Sequence, residues 1–183
     1  MTLRARLRAQ TASAHYRLDT RVSGWDLVDR HGLAAFLGMQ RRALGALRPY
    51  ARRDLSQDMM DDLHARAGAD LTVLGCDASV STRDLPVAPM SLALDYVIAG
   101  SRLGSALLGK RWLGARDMQV RRASAYFSAP SYIEVWQTFC AQAARLPAEG
   151  LAADRIVCDA NHIFQFYDHC ASQDPEPRLY AHV

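Results

Sequence analysis

Residues 7–19 read Leu7-Arg8-Ala9-Gln10-Thr11-Ala12-Ser13-Ala14-His15-Tyr16-Arg17-Leu18-Asp19. With Leu3, they place Leu3, Leu7, Ala14 and Leu18 in one stripe at helical spacing, so an amphipathic helix is expected here. At about 100° per residue, His15 stands roughly 60–80° from Leu18 and Leu7, at the edge of the apolar stripe. Arg8 is seven residues earlier, nearly above His15 on the same face and about 10 Å along the axis. A nitrogen ligand and a cation so spaced suit a flat, metal-centred, anionic ligand. A lone histidine at such an edge is more often packed or solvated than ligating, so the reading needs a second feature.

Working outward, the chain reads as helices joined by short breaks. The first covers roughly residues 3–20, and Val22-Ser23-Gly24-Trp25 ends it. A second runs near Arg30–Tyr50 with Leu33, Phe36, Leu37, Leu44 and Leu47 on its apolar side. Residues 52–75 read as one or two shorter helices, closed by Leu74-Gly75 with glycine as the C-cap. Cys76–Pro89 is a connector broken by Pro86 and Pro89. A long helix starts near Met90-Ser91 and ends near Gly114. Another covers about Ser131–Leu146 with Ile133, Trp136, Phe139 and Cys140 inward, and Pro147 to Gly150 breaks it. The last runs from about Ala153 to Ala171 with Ile156, Ala160, Ile163, Phe164 and Tyr167 inward. Residues 173–183 are expected to be an irregular tail. With no alternating strand pattern, the fold class is all-α, one domain over residues 1–172 around one core.

Composition agrees with this and excludes some functions. Of 183 residues, 50% are hydrophobic and 22% charged, as in an ordinary globular domain long enough for a sizeable core. The net charge is only +3, without the concentrated basic stripe that nucleic-acid binding needs. Arg102, Lys110 and Arg111 interrupt the longest apolar candidate, so no membrane span is expected. No signal-peptide pattern follows Arg4, Arg6 and Arg8. Cys76, Cys140, Cys158 and Cys170 show no C-x-x-C spacing, so reduced thiols and a cytoplasmic location are expected.

The second feature is the run Tyr96-Val97-Ile98-Ala99-Gly100-Ser101-Arg102-Leu103-Gly104-Ser105-Ala106-Leu107-Leu108-Gly109-Lys110. Each interior glycine costs on the order of 1 kcal/mol against alanine in a helix. Gly100, Ser101, Gly104 and Ser105 bare one backbone face. That face admits either a closely packed neighbouring helix or a flat ligand lying against the backbone, and a glycine kink would let the helix sense or gate such a ligand.

A histidine helix with a cation two turns up, followed some 85 residues later by a Gly-Ser-x-Leu-Gly helix, resembles the heme oxygenase family. The first segment is similar to the family's proximal pattern L-[KR]-x-x-T-x-x-x-H-x-x-L-[DE]. The second is similar to the distal pattern of the bacterial, phytochrome-associated branch, Y-V-x-x-G-S-x-L-G. Asp70-Leu71-Thr72-Val73-Leu74-Gly75 resembles the family's D-L-x-x-L-G segment, Trp136 and Phe139 a W-x-x-F pair, and Ala160 with Phe164 the last helix. The likeness spans about residues 3–170.

The resemblance implies a helical bundle with heme b, both substrate and cofactor, sandwiched between the first helix and the glycine-rich one. It implies His15 as the proximal ligand to heme iron through neutral imidazole, with Thr11 and Asp19 fixing the helix. Gly100, Ser101 and Gly104 would form the catalytic distal wall. Arg8, Arg102 and Lys110 would meet the propionates in charge-assisted pairs, with Thr11, Tyr96 and Phe164 also around the heme. Family members cleave heme with O2 and electrons from an external reductase or ferredoxin, giving biliverdin, carbon monoxide and ferrous iron. The implied partners are therefore heme, an electron-donor protein and a bacteriophytochrome receiving biliverdin.

The departures sit on the distal side. Ser101 stands where many members have a water-organising Asp, although the phytochrome-associated branch also has Gly-Ser. Ala99 replaces an acid, Arg102 a Thr or Lys, and Ser105 a Gly or Ala. Asn161 stands where some members have a propionate-gripping base. These changes motivate the alternative of a non-catalytic regulator of this fold that binds heme or a protein. A ferritin-like di-iron site is disfavoured, because the only glutamates are Glu134, Glu149 and Glu176, none followed by His three later. Its closest approach, Asp61-Asp62-Leu63-His64, reads as a solvated face. So do His162 and His169, seven residues apart with no third ligand. No cysteine has a context that activates it for a Cys–His nucleophile.

Overall fold

Thr2 starts the first helix, its hydroxyl accepting from the Ala5 amide at 3.2 Å. Asp29 caps the second by accepting from the His31 and Gly32 amides. The computed structural model describes residues 1–76 and 87–172. Among them it has α1 (Leu3–Ser23), α2 (Arg30–Leu47), a 3₁₀ turn (Arg48–Tyr50), α3 (Gln57–Val73), α4 (Ser91–Trp112), α5 (Met118–Arg122), α6 (Ile133–Arg145) and α7 (Leu151–Ser172). The described residues contain no strand, so the chain is all-α.

Several boundaries differ from expectation, for local reasons. The helix α1 runs through Val22-Ser23 and turns only at Gly24, because Val22 is buried and Gly24 donates back to Thr20 and Arg21. Pro49 tightens the end of the second segment into a 3₁₀ turn. Residues 57–73 form one helix, because Met59, Met60, Leu63, Ala67 and Leu71 bury a single continuous stripe. Gly75, at φ +69°, turns the chain after it. The short α5 was not foreseen; Asp117 caps it and Val120 anchors it in the core. In α6 the inward residues are Val135, Phe139 and Ala143, whereas Ile133 is exposed and Trp136 and Cys140 are half-buried. Pro86 and the 173–183 tail lie outside the described residues.

The helix α7 is the centre of the assembly and packs against α1, α2 and α4. The helix α2 also lies along α3, and α6 covers α4 and the start of α1. The core is one cluster running from Leu3 and Leu7 through Phe36, Leu37, Met60, Ile98 and Phe139 to Ile163. A Cβ on Gly32 would collide with the Asp26 backbone, so the α1–α2 connection closes only over glycine. The four cysteines are free. No helix among the described residues is long and apolar enough to cross a membrane.

What positions the site is a pair of helices that do not pack along their length. The helices α1 and α4 both lie on α7, yet direct packing between them is slight. They touch where the Tyr96 and Thr11 hydroxyls approach to 3.2 Å, and Thr11 donates to the Leu7 carbonyl. Beyond that contact the two helices stand apart.

Candidate functional site

The space between them is a cavity of about 390 Å³. His15, Leu18, Asp19, Val22 and Ser23 form its α1 wall, and Val97, Gly100, Ser101, Gly104, Ser105, Leu107 and Leu108 its α4 wall. Phe164 and Tyr167 of α7 line it, as do Phe36, Met39 and Gln40 of α2. Its size lies within the range of about 300–1,000 Å³ common for small-molecule sites, and its lining is mostly apolar.

His15 is half-exposed and held from two sides. Its Nδ1 lies 3.1 Å from Asp19 Oδ2, one helical turn on. Its ring meets the Phe164 ring edge-on, with centroids 5.2 Å apart and an interplanar angle of 82°. A carboxylate beside Nδ1 favours the tautomer with the proton on that nitrogen, leaving the Nε2 lone pair for a metal. The acidic partner therefore orients the imidazole as well as sitting on the helix.

The glycines of α4 do different work. A Cβ on Gly104 would meet nothing within 4 Å, so its bared backbone faces open space. A Cβ on Gly100 would lie 3.3 Å from the Trp136 ring, so this glycine admits the α6 tryptophan as well as lining the cavity. Gly109 faces Phe127 at 3.6 Å. Of the two readings of the bared face, close packing and an apposed ligand, the first describes Gly100 and the second suits Gly104. The Ser101 hydroxyl donates to the Ile98 carbonyl at 2.8 Å, and Ser105 donates to the Ser101 carbonyl at 3.1 Å.

His15, Gly100, Ser101, Gly104 and Phe164 thus come together in one cavity. Thr11 and Tyr96 are not in its lining; they form the α1–α4 contact one helical turn before His15 and Gly100, with Tyr96 held against Trp136 and Phe139. Arg8 lies elsewhere, in a groove with Arg4 and Cys140 between α1 and α6. Arg102 and Lys110 line another groove, with Trp112 and Phe127. Among the described residues no Lys or Arg side chain lines the α1–α4 cavity. At its Ser23 end Arg111 donates to the Ser23 and Trp25 carbonyls. Asn161 holds α7 to α1 by donating to the Gln10 carbonyl.

Gln40 and Tyr167 are polar groups of the cavity that sequence reasoning missed. Both are buried, and desolvation holds the Tyr167 phenol well above its ordinary range, so it stays neutral. Their helices read as plain core; the only signal was that the α2 stripe Leu33, Leu37, Leu44, Leu47 is interrupted by Gln40. The rival sites resolve into structure. His64 takes the Arg41 guanidinium at 3.0 Å, Asp61 pairs with Arg48, and Asp62 with Arg66. Burial, then Arg41 and Arg48, lower the His64 pKa to about 4. Among the described residues no group of three or more His, Cys, Asp or Glu side chains could hold a metal ion.

No protein-family model matches the chain, and no curated protein matches it either.

Proposed function

We propose that the chain is a heme oxygenase: it binds heme in the cavity between α1 and α4 and cleaves it with O2 and electrons from an external donor to biliverdin, carbon monoxide and ferrous iron. The observation that carries this reading is the meeting of an oriented imidazole, His15, with a stripe of bared helix backbone, Gly104, across one apolar cavity. In this reading heme is the substrate and His15 Nε2 is its iron ligand. Asp19 holds the proton on Nδ1, and Phe164 packs against the imidazole edge.

The residues present fit a planar apolar macrocycle better than they fit its carboxylates. Leu18, Val22, Val97, Phe164 and Leu108 supply apolar contact. Among the described residues no Lys or Arg lines the cavity, so nothing there would pair with the propionates. Gly104 leaves room for a small gas molecule where a side chain would exclude it. Gln40, Ser105 and Tyr167 are the polar groups available to hold ordered water. The electron donor, a phytochrome receiving the biliverdin, and a cytoplasmic setting belong to the same proposal.

A second reading is a heme-binding regulator that does not turn over. It is favoured by the α4 wall, which contributes no carboxylate, and by Ser101, whose hydroxyl is committed to the Ile98 carbonyl. Addition of reductant or a reductase under air to the hemin-loaded protein separates the two. Loss of the Soret band with appearance of biliverdin absorbance is expected for the enzyme. A Soret band that persists through reduction in air marks the regulator.

A further inference from the structure

On α4, Arg102 is turned away from the α1–α4 cavity and is only 8% exposed. A guanidinium taken that far out of water carries a desolvation penalty that only good pairing offsets. Arg102 is poorly paired. Its Nη1 donates to the Ser105 hydroxyl at 3.2 Å, its Nη2 reaches the Pro130 carbonyl only at 3.4 Å and the guanidinium also hydrogen-bonds the Tyr126 phenol, while its buried Nε has no partner among the described residues. Its carbon centre lies 5.4 Å from the Tyr126 ring centroid, a cation–π contact that offsets part of the penalty. It makes no ion pair among the described residues. Asp62, which feels its charge, is already taken by Arg66 at 2.6 Å and by the Tyr132 hydroxyl.

Arg102 lines a groove of about 440 Å³ between α4 and the 127–131 segment. Lys110 lies two turns further along α4 in the same groove and is exposed, with no acidic partner among the described residues. The Ser128 and Ser131 side chains are exposed on the opposite wall, and Trp112, Leu113, Phe127 and Ala129 supply apolar surface. A desolvated, underused guanidinium, a second cation, two hydroxyls and an aromatic floor are complementary to one kind of ligand.

We propose that this groove binds a small amphipathic oxyanion, its carboxylate or phosphate head on Arg102 and Lys110 and its apolar body against Trp112 and Phe127. A guanidinium fork and an oxyanion pair through two parallel N–H donors, which is stronger than the long contact to the Pro130 carbonyl that Nη2 now makes. The groove is independent of heme binding: it lies on another side of α4, and among the described residues only Ser105 lines both spaces.

The test is a titration of the heme-free protein with benzoate and with phenyl phosphate, followed by calorimetry and by the fluorescence of Trp112. Saturable binding of at least one probe in the millimolar range or tighter is expected, weakening as salt is added. The probe that binds more tightly assigns the head group as carboxylate or phosphate. Affinity should fall about tenfold in Arg102→Gln and at least threefold in Lys110→Glu, a change on an exposed side chain that leaves the core untouched. His15→Ala should leave it unchanged. Absence of saturation with both probes, or an unchanged affinity in Lys110→Glu, overturns the proposal.

Discussion

The cleft between α1 and α4 and the opposite half of the bundle, where α3 meets the 123–132 segment, use polar side chains in opposite ways. In the α3 half they are consumed. Asp70, buried in the interior, accepts from the Ala125 and Tyr126 amides at 2.9 and 2.8 Å and ties that segment to α3. Burial raises the pKa of its carboxyl, against the lowering effect of the two amides. The Asp62, Tyr132 and Arg66 side chains close on one another, as do His64, Arg41 and Arg48. In the cleft Ser101 and Ser105 bond within α4, but the His15 imidazole is oriented by Asp19 through one nitrogen only, and Gly104 faces open space. The contrast separates residues that hold the bundle from residues left available to a ligand.

Four substitutions test that contrast, in falling order of effect. Asp70→Ala orphans two buried amides and should cost about 2–4 kcal/mol in urea unfolding; a loss below about 1 kcal/mol would show that the α3 half is not held this way. Gly104→Ala should raise stability by up to about 1 kcal/mol, a gain of roughly 2–4 °C in melting temperature, because its Cβ enters open space. Gly100→Ala should forfeit that gain against the Trp136 ring. Equal melting temperatures for the two variants would erase the difference between the packed and the open glycine. The smallest effect is electrostatic. The folded-state pKa of His64, about 4, lies below the ordinary 6.5, so the unfolded chain takes up its proton first. Stability from this site is therefore full above pH 6.5 and is lost as the pH falls to about 4. With His64 partly exposed and screened, the change should stay under about 1 kcal/mol. His64→Gln should flatten the stability–pH curve in that window.

Much of this was legible in the chain, and the rest has a physical reason. Helical spacing located the six long helices, because each buries one stripe against the same core. It could not divide 52–75, where the one-or-two question depends on which face of Met59, Leu63 and Ala67 meets α2. It missed α5, whose five residues carry too little periodicity to read. It also missed Tyr132, which starts α6 at φ +52°, a strained conformation for a side chain this bulky, with its hydroxyl on Asp62. At the site, His15 and the glycine face were readable from spacing alone. The cations were not. A helical wheel puts Arg8 above His15, but the groove Arg8 occupies is set by α6, and the Arg102 guanidinium follows Tyr126 and Ser105 to another side of α4. Long side chains go where tertiary partners lie, which one helix's periodicity does not encode. The lining from α2 and from Tyr167 was hidden for the same reason.

In the proposed function His15 and the α4 backbone face each other across a heme site. Titration of the purified protein with hemin, alongside His15→Ala, tests it most directly. A one-to-one Soret band with an imidazole-ligated spectrum is expected in the native chain, and loss of that ligation in His15→Ala, with affinity lowered at least about tenfold. No Soret band in the native chain, or the same ligation spectrum in His15→Ala, would contradict it.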